Sequence, residues 1–251
     1  MVVLGIETAT DTCGVAVCDG EVVVHQAAIR EPRKHAERLA PMIEEALEAV
    51  RLFRGHPIDT RRRVFADSTR LLDGISVSAG PGSYTGLRIG VATAKGLALA
   101  FDVPFATVST LECIALSAAR TREPETVIGI LRARDDEWYA GMYRVCMFPD
   151  RFAVVDEVAA RPSIVTNAEL LRQMEEDVSL VLGTIDSSEA FGAFSAGRVR
   201  VVEPDATYVA SQGARQIFAG QAVDIETFEP DYLREFVARK SKGSIFPTAN
   251  E

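Results

Sequence analysis

Two short stretches of this chain hold the residues best placed to do chemistry. One is Glu7, Thr8, Thr10, Asp11 and Thr12, an acidic, hydroxyl-rich loop directly after the first apolar run. In an ATP-using enzyme an acidic group there can hold magnesium while the hydroxyls face phosphate. Short polar residues at such a place also serve simply to satisfy turn amides. The other stretch is GPGSYTGLRIG, residues 80–90, set between an apolar run and a helical pattern. It fails as a dinucleotide fingerprint, because Thr85 stands where the third glycine belongs. It fails as a P-loop too, because Gly86 precedes Leu87 and Arg88 rather than a Lys-Ser or Lys-Thr pair. The strand-turn-helix context still leaves amides near Ser83 and Tyr84 for an anion. The competing reading is a tight turn whose glycines adopt angles closed to other residues, with Ser83 or Thr85 capping the helix. Thr8, Gly82 and Ser83 are therefore the candidate nucleotide-contact residues, with both readings open.

Other chemistry is sparse. His25, His35 and His56 are the only histidines, and none has the i, i+4 pairing of a helical metal site. His35 begins a helix, where an imidazole can cap an amide or contact a ligand. No G-x-S-x-G elbow or adjacent Cys/His arrangement occurs. Cys13, Cys18, Cys113 and Cys146 are dispersed in apolar contexts, which predicts four reduced, buried thiols rather than a disulfide framework or zinc site. Arg51, Arg54, Arg61, Arg62 and Arg63 form one basic cluster in a connection broken by Gly and Pro. Such a cluster gives at most a salt-sensitive attraction to phosphate backbone, and the net charge of −9 argues against broad nucleic-acid binding. Trp138 and Tyr139 follow acidic residues and fit a sheet edge better than a base-stacking platform.

These groups must be positioned by elements that the 251 residues, 47% of them hydrophobic, are long enough to build around a sizeable core. Val2 to Ile6, Cys13 to Val17 and the run after Asp19-Gly20 read as three strands, the last two a hairpin. Leu39, Met42, Ile43, Ala46, Leu47 and Val50 then recur at helical spacing. Leu72 to Ala79 predicts a core strand entering Gly80, followed by a helix to about Ala100 and a strand at Phe105 to Val108. A second set follows: a helix at Thr110 to Ala119, strands at Val127 to Leu131, Glu137 to Met147 and Val178 to Leu182, and a capping box at Thr166 to Glu169. DSSE at 186–189 opens a short helix, 211–220 forms another, and the end has tail composition. This order predicts an α/β chain of two units, 1–108 and 109–210, with the 211–222 helix joined to the first and 223–251 forming a C-terminal motif and tail. The N-terminus lacks the pattern of a signal peptide, and Ile89 to Ala100, interrupted by Lys95, is far short of the ~20 residues of a membrane span. A cytoplasmic protein without membrane contact is the expectation.

In the helix after Ser83 the small residues Gly86, Gly90 and Ala94 recur every four positions, and Ala98 extends the row. Each internal glycine costs ~1 kcal/mol relative to alanine, so close approach of another helix is the expected compensation. That helix belongs either to this chain or to a partner. Gly86, Leu87, Gly90, Val91, Ala94 and Leu97 are accordingly the candidate interface, with Arg88 and Lys95 facing solvent or poised at it.

GIETATDTCGVAV at 5–17, RKHAERLAPMI at 33–43, SAGPGSYTGLRIGVATAKGLA at 78–98, VSTLE at 108–112 and EPDYLR at 229–234 resemble the bacterial TsaB family of the tRNA threonylcarbamoyladenosine machinery. The resemblance implies the actin/Hsp70/sugar-kinase superfamily, with two RNase-H-like domains, and similarity to the catalytic TsaD subunit. TsaD binds metal through an H-x-x-x-H pair on a helix. Here the corresponding region offers only His35, flanked by Glu31 and Leu39 at i−4 and i+4, so the resemblance implies no metal and no autonomous transferase activity. It implies instead a scaffold that pairs with TsaD through the small-residue helix and is joined by the ATPase TsaE. That assembly modifies adenosine 37 of tRNAs reading codons that begin with A. It further implies a homodimer in isolation, at most indirect or weak contact with tRNA, and no cofactor of its own, with ATP or ADP confined to the assembled complex. The alternative is an ATP-dependent carbohydrate or acyl-transfer enzyme of the same superfamily. Arg132 stands where the family commonly has an acidic residue, and the basic connection is longer than expected.

Overall fold

A computed structural model of the chain describes residues 1–31, 33–55, 71–134, 136–147, 153–173, 178–183 and 199–233. Runs of apolar and β-branched residues at the N-terminus form β1 (Val2–Glu7), β2 (Thr12–Asp19) and β3 (Val22–Arg30), an antiparallel meander whose second turn uses Gly20 at φ 58°. After α1 (His35–Phe53), β4 (Gly74–Ser78), α2 (Tyr84–Phe101) and β5 (Phe105–Val108) complete a five-stranded sheet of order β3-β2-β1-β4-β5. β1, β4 and β5 run parallel. The second lobe begins with α3 (Thr110–Ala118) and contains β6 (Glu125–Arg134), β7 (Glu137–Met147), β8 (Ala153–Thr166), α4 (Asn167–Gln173), β9 (Val178–Leu182) and β10 (Val199–Val201). Its sheet, β8-β7-β6-β9-β10, repeats the first sheet's order strand for strand. This is an α/β chain with two RNase-H-like sheets, the architecture of the actin/Hsp70/sugar-kinase superfamily.

The two faces of the first sheet are chemically different. Leu4, Ile6, Val15, Val17, Ile75 and Val77 form one core with the apolar faces of α1 and α2. On the other face Ala16, Gly5, Ser76 and Ala106 are direct cross-strand partners, a row of small residues running across four strands. The last helix among the described residues, α5 (Ala206–Phe218), lies on this row. A Cβ on Gly5 would stand 2.6 Å from the Ala206 carbonyl oxygen, so the glycine is what allows the helix so near. The Ser76 hydroxyl donates to the Val209 carbonyl at 2.7 Å. α3 plays the same part in the second lobe, where a Cβ on Gly129 of β6 would stand 2.6 Å from the Leu111 carbonyl. Each lobe's sheet is thus covered by the helix that follows the other lobe's last strand.

Several expectations change in detail. α5 begins at Ala206, five residues before the expected 211, because Asp205 caps it by accepting from the Thr207 amide at 2.8 Å. Tyr208 and Val209, good strand formers, masked that start. The long β8 and the short β10 add strands that the pattern did not show. Trp138 and Tyr139 do not lie at a sheet edge: β7 sits between β6 and β8, and Trp138 is buried with its indole N–H donating to the Asn167 side chain. The capping box forms as read, with the Thr166 amide donating to Glu169 at 2.8 Å and the Glu169 amide to Thr166 Oγ1 at 3.3 Å. Cys13, Cys18 and Cys113 are buried free thiols, but Cys146 is half-buried. Most of the basic connection, the DSSE segment and the residues after 233 lie outside the described residues.

Candidate functional site

The two chemical stretches meet where β1 and β4 end. Glu7, the last residue of β1, is fully buried; its carboxylate accepts from the Ala9 amide at 2.7 Å and shares a hydrogen bond with the Ser78 hydroxyl. Burial pushes its pKa from the usual 4.5 up to about 7, against the lowering effect of these bonds. Thr8 is buried as well and donates to the Gly86 carbonyl at 2.9 Å. Thr10 Oγ1 accepts from the Thr12 amide at 3.2 Å. These polar groups are spent on turn and helix backbone.

The glycine stretch is a crossing point for backbone. A Cβ on Gly82 would overlap the carbonyl of Ala9, and that same carbonyl accepts from the Ser83 amide at 2.7 Å. Ser83 caps α2, its Oγ accepting from the Gly86 amide at 3.2 Å. Gly80, at φ 110°, accepts from the Thr110 amide at 2.9 Å, and Ala79 accepts from the Asp231 amide at 2.8 Å. Four chain segments converge on these residues, and the Ser83 and Gly86 amides are bonded to the Ala9 carbonyl and the Ser83 hydroxyl.

Beside this crossing a cleft of about 290 Å³ opens between the lobes, lined by Thr10, Asp11, Gly82 and Ser83 on one side and by Arg132 and Tyr139 on the other. Gly82 and Ser83, expected as nucleotide contacts, line it; Thr8 does not. The Arg132 guanidinium lies 5.6 Å from the Trp138 ring centroid. Among the described residues no group of three His, Cys, Asp or Glu is gathered to hold a metal. His35 is buried with Nε2 3.2 Å from the Thr12 carbonyl, and Leu39, one helical turn on, belongs to the core.

The expected interface on α2 requires correction. Gly86, Leu87, Gly90, Val91, Ala94 and Leu97 are all buried against the chain's own first lobe. A Cβ on Gly86 would overlap the Thr8 carbonyl, and one on Gly90 would overlap the Thr8 side chain. The four-residue spacing correctly marks a close approach, but the neighbour is the turn after β1. The side of α2 that remains open carries Thr85, Arg88, Ala92, Gly96, Leu99 and Ala100. Gly96 has open space where a Cβ would stand, and Leu99 is 66% exposed. Lys95 does not face solvent freely: its ammonium donates to the Phe228 carbonyl at 2.7 Å. A strap of chain before residue 233 thereby holds α2, and Tyr232 packs on Tyr84 with ring centroids 5.2 Å apart. Arg88 and Lys95 are the only charges among the 18 residues of α2, so the sequence does show a helix with little polar outer face, though not which side it turns outward.

Comparison with known proteins agrees with this architecture. The family model described as TsaD, tRNA N6-adenosine threonylcarbamoyltransferase, matches residues 30–176. The chain is 30% identical to the tRNA threonylcarbamoyladenosine biosynthesis protein TsaB of Escherichia coli K12, over 96% of this chain and 97% of that one. It is 29% identical to the protein of the same name from Bacillus subtilis 168, over 93% and 94% of the two chains. YeaZ from Pseudomonas aeruginosa shares the fold, with a TM-score of 0.70 at 24% identity over 92% of this chain and 99% of that one. Repeated sheets, crossing helices and a likeness that runs almost end to end lead to one assignment: the chain belongs to the TsaD-related proteins, as a member of the TsaB family of tRNA threonylcarbamoyladenosine biosynthesis proteins.

Proposed function

We propose that this chain is a noncatalytic subunit that docks on and activates TsaD in the N6-threonylcarbamoylation of adenosine 37 of tRNAs reading codons that begin with A. The observation that carries this reading is the outer face of α2, where Thr85, Ala92, Gly96, Leu99 and Ala100 leave Arg88 as the one exposed charge. An ordinary surface helix is polar outward, as α1 is with exposed Glu37, Arg38, Glu44, Glu45 and Glu48. α2 instead offers small and apolar residues on both sides, one for its own sheet and one for another helix. The buried Thr8, its hydroxyl committed to the Gly86 carbonyl, supports this role over an ATP-dependent transferase acting alone. In this reading TsaE joins the pair, ATP or ADP lodges only in the assembled complex, tRNA contact is indirect or weak, and the isolated chain pairs with itself through the same helix. The setting is the cytoplasm; no helix among the described residues is long and apolar enough to cross a membrane.

Gly96→Trp tests the docking face, because in the free chain the new side chain enters open space. Calorimetric titration with TsaD from the same source should show affinity lowered ~100-fold or more, as for a clash at the centre of an interface, while the melting temperature of the free chain is kept. Undiminished affinity would falsify the assignment.

A further inference from the structure

We infer, on the docking reading proposed above, that Arg88 selects the docked subunit by pairing with one of its carboxylates, and that the strap before residue 233 positions Arg88 for this through two stacked tyrosines. The Arg88 guanidinium lies 5.5 Å from the Tyr84 ring centroid and donates to the Tyr84 hydroxyl at 3.4 Å. Tyr84 in turn packs on Tyr232, the rings tilted by 42° with centroids 5.2 Å apart. Tyr232 is itself fixed by its neighbours in the strap. The Asp231 amide donates to the Ala79 carbonyl at 2.8 Å, the Tyr232 amide donates to the Pro230 carbonyl at 2.9 Å, and Phe228 packs edge-on against Phe105 with centroids 5.7 Å apart. A loose arginine gives up its rotamer freedom when it binds, whereas this one has surrendered part of it beforehand.

What the guanidinium must meet follows from its surroundings. Thr85, Ala92, Gly96, Leu99 and Ala100 share its side of the helix and carry no charge. Arg88 forms no salt bridge among the described residues, although Glu229 and Asp231 stand on the same strap as Tyr232. When another helix covers this face the guanidinium leaves water, and a buried charge is tolerated only when it is paired and hydrogen-bonded. Its planar fork has five donors, of which the Tyr84 hydroxyl takes one, so the rest are left for a carboxylate. A helix that brings an apolar or basic side chain to this place leaves the charge unpaired. The residue that admits an acidic partner therefore also rejects neutral and basic ones.

The test is calorimetric titration of TsaD from the same source with the full chain, first without nucleotide and then with ATP. Arg88→Met keeps most of the length and removes the charge; it should lower affinity ~30-fold or more without nucleotide, because it strands the facing carboxylate. Arg88→Lys, which keeps the charge but not the fork, should fall between the two. Tyr232→Leu should cost ~5-fold in the unaltered chain and nothing further when combined with Arg88→Met, a coupling that a tyrosine serving only the fold does not produce. Unchanged or tighter binding by Arg88→Met, a loss confined to the titration with ATP, which makes phosphate the anion, or a Tyr232→Leu loss that persists beside Arg88→Met overturns the proposal. Gly96→Trp separates the two levels: if it abolishes binding while Arg88→Met does not, only the role of Arg88 fails, and if it leaves affinity undiminished, docking on α2 fails with it.

Discussion

Gly86 and Gly90 stand one helical turn apart and both face Thr8, yet the obstacle is different at each. At Gly86 a methyl meets backbone carbonyl, which has nowhere to go; at Gly90 it meets the Thr8 side chain, which yields only by giving up its hydrogen bond to the Gly86 carbonyl. Gly86→Ala should therefore cost ~3 kcal/mol and Gly90→Ala ~2 kcal/mol, measured by urea unfolding. Equal small losses would mean that the turn yields freely. Glu7 makes a second prediction. The unfolded carboxyl ionises near 4.5 and the buried one at about 7, so across that interval the folded chain keeps a proton that the unfolded chain has lost. Stability must fall as pH rises through the window and level off above it, by ~3 kcal/mol in all. Glu112, raised to about 7 by burial, slopes the same way, whereas Cys13 and Cys18, pushed up to about 11 and about 12, titrate above the window. Unfolding at pH 5 and pH 8 should show Glu7→Gln with a much shallower dependence; an unchanged slope removes Glu7 as its source. The sequence marked both places without identifying the neighbour. Spacing announces that something comes close to Gly86, but Thr8 is 78 residues away along the chain.

At the scale of the element, α2 is held from three sides: the core beneath, the Thr8 turn at its start and the strap through Lys95 and Phe228. Its remaining side, with Ala92, Gly96, Leu99 and Ala100, is open. Gly96→Ala should raise stability by ~0.5–1 kcal/mol, or ~2–4 °C in a thermal melt, because nothing opposes the methyl and the unfolded chain loses freedom. A destabilised variant would show that the apparent open space is filled. Strands whose residues are β-branched, aromatic and bounded by clear turns, such as Phe105–Val108 and Glu137–Met147, were legible at their observed limits. β8 was not, because Glu157 to Ser163 are mostly polar or small and exposed, leaving no alternation to read. The direction in which α2 faces was hidden for the opposite reason: a helix apolar all round has no phase.

For the whole molecule, the decisive feature is the exchange of helices between lobes. Residues 1–108 contain every strand of the first sheet but not α5, so Gly5, Ala16, Ser76 and Ala106 would be bare in that fragment. The fragment 1–108 should therefore lack dispersed amide resonances, and adding a peptide spanning 203–220 should restore them; a well-folded fragment alone would contradict the crossing as a requirement. The two-unit order was visible in the sequence, since periods of 2 and 3.6 alternate along it, but nothing local tells a helix which lobe it will cover. That pairing joins residues about 200 positions apart, as Cys18 and the Thr207 carbonyl show. Synthesis on the ribosome runs from one end, so the earliest sheet to emerge is the last to be sealed. Until Phe218 has cleared the exit tunnel the nascent chain keeps a bare, closely spaced surface open to chaperones, and a premature stop between Val201 and Ala206 leaves the second lobe its covering helix but strips the first of its own.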